Sequence, residues 1–213
     1  MSDLHRWRAK TGHKRWDNVP VRSAYPLVKH CALALAALLS LAAASAIRAQ
    51  AGSSVEYQVK AAFLFNFAKF VEWPPDAFPS DKSPITFCVF KHDPFGTSLD
   101  EVIRGKTINN RAILARRINE LPDLKPCQLV FVNSAEDKLL SEILNSLKGT
   151  SALVVGEGDG FAERGGGIQF FLEDNKLRFA INVDAVQRAR LNVSSKLLAL
   201  ARIVHSRESP KGS

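Results

Sequence analysis

The 213-residue chain is poor in the residues that most often carry chemistry, with three cysteines, five histidines and one methionine. Three of those histidines and Cys31 lie in the first 49 residues, so beyond that point only His92, His205, Cys88 and Cys127 remain. Such a set has no ligand-spaced cluster and cannot easily assemble a zinc site. The G-x-S-x-G, H-E-x-x-H and C-x-x-C patterns are missing, as are signatures of a nucleotide cyclase or phosphodiesterase. Catalysis needs a nucleophile beside a base, a carboxylate pair or a metal. Their scarcity favours a binding or regulatory role over an enzymatic one, with no cofactor and no metal expected. Internal repeats and interdomain linkers are lacking too, so one domain is the default.

One apolar run stands out. Cys31 to Ile47 reads CALALAALLSLAAASAI, with Lys29 before it and Ala49, Gln50 and Ala51 after it. A basic flank, a short apolar segment and small residues describe a secretory signal peptide, and the run is marginal for spanning a bilayer. The organisation expected is therefore a leader over 1–49, cleaved somewhere between 46 and 51, an α/β domain over 53–205, and a loose tail over 206–213. About thirty residues precede the apolar run, more than such leaders normally carry. Residues 1–49 hold eight of the 29 Lys and Arg and two of the 21 Asp and Glu, so the remainder carries 21 basic against 19 acidic groups, a net charge of +2. The formal charge of +8 for the whole chain is thus mostly the leader's. A nucleic-acid partner loses its support.

The rest of the chain is organised around EYQVKAAFLFNFAKFVEW, Glu56 to Trp73, which contains neither glycine nor proline and ends on Pro74 and Pro75. At 100° per residue Val59, Phe63, Leu64, Phe67, Phe70 and Val71 share one half of the cylinder, and Gln58, Asn66, Lys69 and Glu72 the other. Phe65 projects from the polar half. It is either covered by the same chain or kept for a partner, which makes Phe65, Asn66, Lys69 and Glu72 the candidate partner face.

Beyond this helix, Ile85 to Lys91, Arg111 to Ile118, Cys127 to Val132 and Ser151 to Val155 read as strands. Helices are expected over Thr97 to Arg104, capped by Asp93, and over Ala135 to Lys148, capped by Ser134. His92 and Asp93 resemble an acid/base pair, but capping and turning explain them better. The alternation is that of an α/β fold: one domain, a mixed sheet with helices on both faces. Gly156 to Gly167, GEGDGFAERGGG, follows a strand, where such folds hold phosphates, yet it is no P-loop. Tight turns around a short FAERGG helix account for most of it, and a small-ligand cleft at Gly156, Gly158, Asp159 and Arg164 is the alternative. Ile168 to Leu172 and Leu177 to Val183 form a hairpin, and a closing helix spans about Val193 to His205, capped by Asn192 or Ser194.

In an exported chain the pair Cys88 and Cys127 reads as a disulfide, the alternative being two buried thiols. Closing a loop of about 40 residues would stabilise the fold by roughly 4 kcal/mol.

The blocks AAFLFNFAKFVEWPPDAF, ITFCVF, CQLVFV, ALVVGEGDGFAERGGGIQFF and LRFAINVDAVQRARLNVSSKLLALARIV occur in an order that resembles the YfiR family of periplasmic proteins. The resemblance implies a repressor that docks on the outward-facing domain of an inner-membrane diguanylate cyclase, forms dimers, and is relieved by redox stress or by an outer-membrane lipoprotein. It matches Cys88 and Cys127 to one cysteine pair of the family, whereas Ala162 and Gln169 stand where some members carry a second. The competing reading is a periplasmic ligand sensor serving a histidine kinase or a transport system.

Overall fold

The structure is a computed structural model that describes residues 54–207. The expected leader, its cleavage site and residues 208–213 of the tail lie outside the described residues. The fold is mixed α/β, as the sequence pattern implies.

Helix α1 covers 54–70. It ends one turn earlier than its composition suggests, because the chain straightens into β1 (Val71–Glu72), which pairs antiparallel with β9 (Asn192–Val193). Hydrogen bonding to a distant segment overrides local helix preference here. The central sheet then builds from β2 (Ile85–Phe90), β3 (Thr107–Ile108), β4 (Arg111–Ile118), β5 (Leu129–Val132), β6 (Leu153–Gly156), β7 (Ile168–Glu173), β8 (Lys176–Asn182) and β10 (Arg202–Val204). Its strand order is β10-β8-β7-β6-β5-β2-β4-β3, parallel throughout except for the β7–β8 hairpin and the β3–β4 edge. Helix α2 (Ser98–Ile103) lies between β2 and β3, α3 (Leu140–Ser146) between β5 and β6, α4 (Val183–Arg188) after β8, and α5 (Ser195–Leu198) before β10.

Alternation along the parallel strands sorts the interior into two layers. Phe87, Val89, Phe131, Val155, Ile168 and Phe170 face α1 together with α2, α4 and α5. Cys88, Phe90, Val130, Val132 and Val154 face α3 and Phe161. The first layer is aromatic: Phe67 lies 5.5 Å from Phe170 and 5.0 Å from Phe179 between ring centroids, and Phe63 packs beside both. Each buried phenylalanine of this kind stabilises by about 1.5–3 kcal/mol. The bridge Cys88–Cys127 joins β2 to the residue two before β5, inside the second layer.

Five local expectations need correction. Asp93 does not cap α2; its Oδ1 accepts from the Phe95 amide and its Oδ2 pairs with Arg117, closing a turn. The segment after β5 is a 3-10 turn, Ser134–Leu139, leading into a shorter α3, and the cap is Asn133, whose side chain accepts from the Ala135 amide. FAERGG forms turns and no helix. The long closing helix is only one turn, α5, capped by Ser194, after which Arg202–Val204 adds a parallel strand beside β8. Ser206 and Arg207, placed in the tail by the sequence, are held by Asp184 and by the Glu163 carbonyl.

Candidate functional site

The apolar stripe of α1 is rotated from the one expected. Lys60, Ala61, Leu64, Phe67, Ala68 and Val71 are the buried positions, Phe63 and Phe70 are half-buried, and Val59 is exposed. A lysine therefore occupies a core position, and the structure shows what receives it. Glu157 follows the carboxyl end of β6, Asn133 follows that of β5, and the first two turns of α1 lie across both. The Lys60 ammonium bonds to Glu157 Oε2 and lies 2.6 Å from Glu56 Oε1. The side chains of Lys60 and Glu157 are 5% and 8% exposed, that of Glu56 36%.

The other oxygen of Glu157 is equally engaged. Oε1 accepts from the Tyr57 hydroxyl at 2.8 Å, from Asn133 Nδ2 at 2.8 Å and from the Ser134 amide at 3.3 Å. The ammonium of Lys60 sits 4.4 Å from the centre of the Tyr57 ring. Burial, and then the hydrogen bond and charge of Glu157, push the Tyr57 hydroxyl well above the ordinary tyrosine range. A charge so buried is tolerable only when paired and hydrogen-bonded; both oxygens of Glu157 are engaged, and Lys60 meets two carboxylates. The cluster borders a cavity of about 380 Å³ that also touches Asp159, Gln169 and the Phe170 to Leu172 and Leu177 walls of the hairpin. Its place, outside the carboxyl ends of parallel strands, is where open α/β sheets receive ligands.

The residues singled out from the sequence fall in three places. Gly156 and Gly158 serve close packing: a Cβ on Gly156 would lie 2.3 Å from the Phe161 ring, and one on Gly158 2.1 Å from Asp137 Oδ1. Arg164 reaches both carboxylate oxygens of Asp137 at 2.6 Å and the Asp159 carbonyl at 3.0 Å, so it clasps the loop from outside. Of the four, only Asp159 borders the cavity beside Glu157. On α1, Phe65 is half-buried, packs partly on the main core, and carries Lys106 4.5 Å and Lys69 5.8 Å from its ring centre. Asn66 and Lys69 are exposed beside it, while Glu72 accepts from Asn192 Nδ2 across the β1–β9 pair. Among the described residues no group of three or more His, Cys, Asp or Glu is arranged to hold a metal.

Tyr57, Lys60, Asn133 and Glu157 escaped the sequence reading. Lys60 had one usable signal: 60, 64, 67 and 71 share a helical face, and the last three are apolar.

Residues 57–202, from the second turn of α1 to the start of β10, match the YfiR/HmsC-like family. The chain belongs to the YfiR/HmsC-like family. By name this is a regulatory, non-catalytic family, and its members' regulation is that of YfiR in general terms. No curated protein matches the chain. A solved structure similar to it is that of a conserved domain protein from Vibrio cholerae O1 biovar El Tor, with a TM-score of 0.43 at 9% identity, covering 56% of this chain and 54% of that one. The chain thus spans about half the length of that protein. Gln169 Oε1 accepts from the Ala162 amide at 3.1 Å, and Asn182 Nδ2 donates to the Ala162 carbonyl at 2.5 Å. Both hydrogen bonds are buried and fix the loop between β6 and β7 to the hairpin.

Proposed function

We propose that this chain is an exported regulatory protein that holds an inner-membrane diguanylate cyclase inactive through contact with the cyclase's periplasmic domain. The observation that carries the reading is membership of the YfiR/HmsC-like family over residues 57–202. Two further features support it. The buried Cys88–Cys127 bridge suits an oxidising compartment, and no helix among the described residues is long and apolar enough to cross a membrane. The candidate docking face is the exposed side of α1 around Phe65, Asn66, Lys69 and Glu72, where two lysines frame one aromatic edge. A homodimer and an outer-membrane lipoprotein that relieves repression belong to the same proposal.

The test pairs deletion with capture. Loss of the gene raises cellular cyclic-di-GMP, and the purified protein retains a membrane cyclase's periplasmic domain on a column. Lys69→Glu weakens that retention without lowering thermal stability. Unchanged cyclic-di-GMP on deletion together with no captured sensor domain would overturn the reading.

A further inference from the structure

The cavity beside Glu157 has two unlike walls. One is acidic: Glu56, Glu157 and Asp159 oppose a single ammonium, Lys60. Lys60 is already shared between Glu56 and Glu157, so the lining keeps an excess of two negative charges. Asp159 is exposed, and among the described residues only its backbone carbonyl is engaged, by Arg164. The facing wall is apolar and open to solvent. Leu172 is 59% exposed near the end of β7, paired across the hairpin with Leu177. The cavity thus has one charged and one aliphatic side.

The aromatic ring at this edge already receives a cation from the chain itself, Lys60 lying over Tyr57 at 4.4 Å. Cation and π-face attract each other by about 0.5–1 kcal/mol at exposed sites. A volume of about 380 Å³ admits a molecule of roughly ten to fifteen heavy atoms and falls at the lower end of ligand pockets.

We propose that this cavity binds a small organic cation, a primary amine or guanidinium on a short apolar or aromatic body. The cationic head sits between Asp159 and the open oxygen of Glu56, and the body lies on Leu172 and Leu177. Glu157 takes no direct part, since its oxygens are occupied by Lys60, Tyr57 and Asn133; it fixes the floor. The proposal does not rest on cyclase repression, because binding is measured on the protein alone.

Tyramine and agmatine serve as probes in calorimetry and in amide-resolved NMR titration of the purified protein, with 3-(4-hydroxyphenyl)propionate as the anionic counterpart. At least one amine binds and shifts amides of 56–60, 157–159 and 170–177, and the propionate does not. Asp159→Asn and Glu56→Gln each weaken binding by about two- to fivefold, the worth of one exposed charge pair, and Leu172→Ser weakens it while leaving the charge in place. Melting temperatures are recorded for every variant, so that only folded ones are compared. The proposal fails if neither amine binds at 10 mM, on the order of the weakest affinity such a pocket gives, if the anion binds as well as the amines, or if Asp159→Asn and Leu172→Ser leave the affinity unchanged.

Discussion

Lys60 and Glu157, 97 residues apart in the chain, form an ion pair in which both side chains are more than nine-tenths buried, and this pair fastens the first helix to the carboxyl edge of the sheet. Removing one partner takes from the other its most buried countercharge. Lys60→Met is therefore expected to lower the unfolding free energy by about 3–5 kcal/mol, and Lys60→Met with Glu157→Gln to lose less than the two single changes together. Urea denaturation of the four proteins checks this; additive losses would mean that the two side chains do not depend on each other.

Alkaline pH reports on the same cluster through Tyr57. Its hydroxyl titrates higher in the folded protein than in the unfolded chain, where tyrosine ionises near about pH 10. The tyrosine's contribution to stability is complete below that pH and is lost as pH rises from there toward the folded value. Denaturant midpoints measured from pH 8 to 11.5 should fall more steeply for the native sequence than for Tyr57→Phe above about pH 10. Parallel curves would remove Tyr57 from the network.

The same reasoning explains what the sequence could and could not disclose. Strand alternation in ITFCVF and the continuous apolar run LVFV were legible, because burial on both faces of a parallel sheet writes itself into local composition. The cysteine pair was legible as a bridge because few cysteines remain after the leader. The Lys60 cluster was not, since its members come from three separate segments and each looks ordinary at home. The final helix was misjudged for a related reason: Leu197 to Val204 has helical spacing, but pairing of Arg202–Val204 with Ala180–Asn182 outweighs it. Whether the chain continues as helix or strand there depends on β8, about twenty residues upstream.

The bridge between Cys88 and Cys127 closes a loop of 39 residues, and both cysteines are buried. Cys88→Ser with Cys127→Ser is expected to lower stability by about 4 kcal/mol. In the intact protein the bridge should resist millimolar dithiothreitol, on the order of concentrations that reduce exposed disulfides, until denaturant is added. Thiol labelling followed by mass spectrometry reads both states. Rapid reduction of the native protein would mean that the bridge is open to solvent and able to respond to redox conditions.

Gln169 ties the loop after β6 to β7 through one buried hydrogen bond to the Ala162 amide. Gln169→Leu leaves the Ala162 amide buried without an acceptor and should cost about 1–3 kcal/mol. Hydrogen exchange at Ala162 should accelerate in the same variant. An unchanged exchange rate would show that another group takes over as acceptor.

The β1–β9 pair, in which Val71 lies opposite Val193, has a consequence for how the molecule comes into being. The exit of the first helix is latched by a segment laid down more than a hundred residues later, and the outermost strand beside β8 is supplied later still. A growing polypeptide that has reached only the hairpin possesses neither, so the exit of its aromatic first helix stays unlatched until β9 has been made. The order of the chain thus dictates that the latch on the first helix closes after the hairpin and before the edge strand β10.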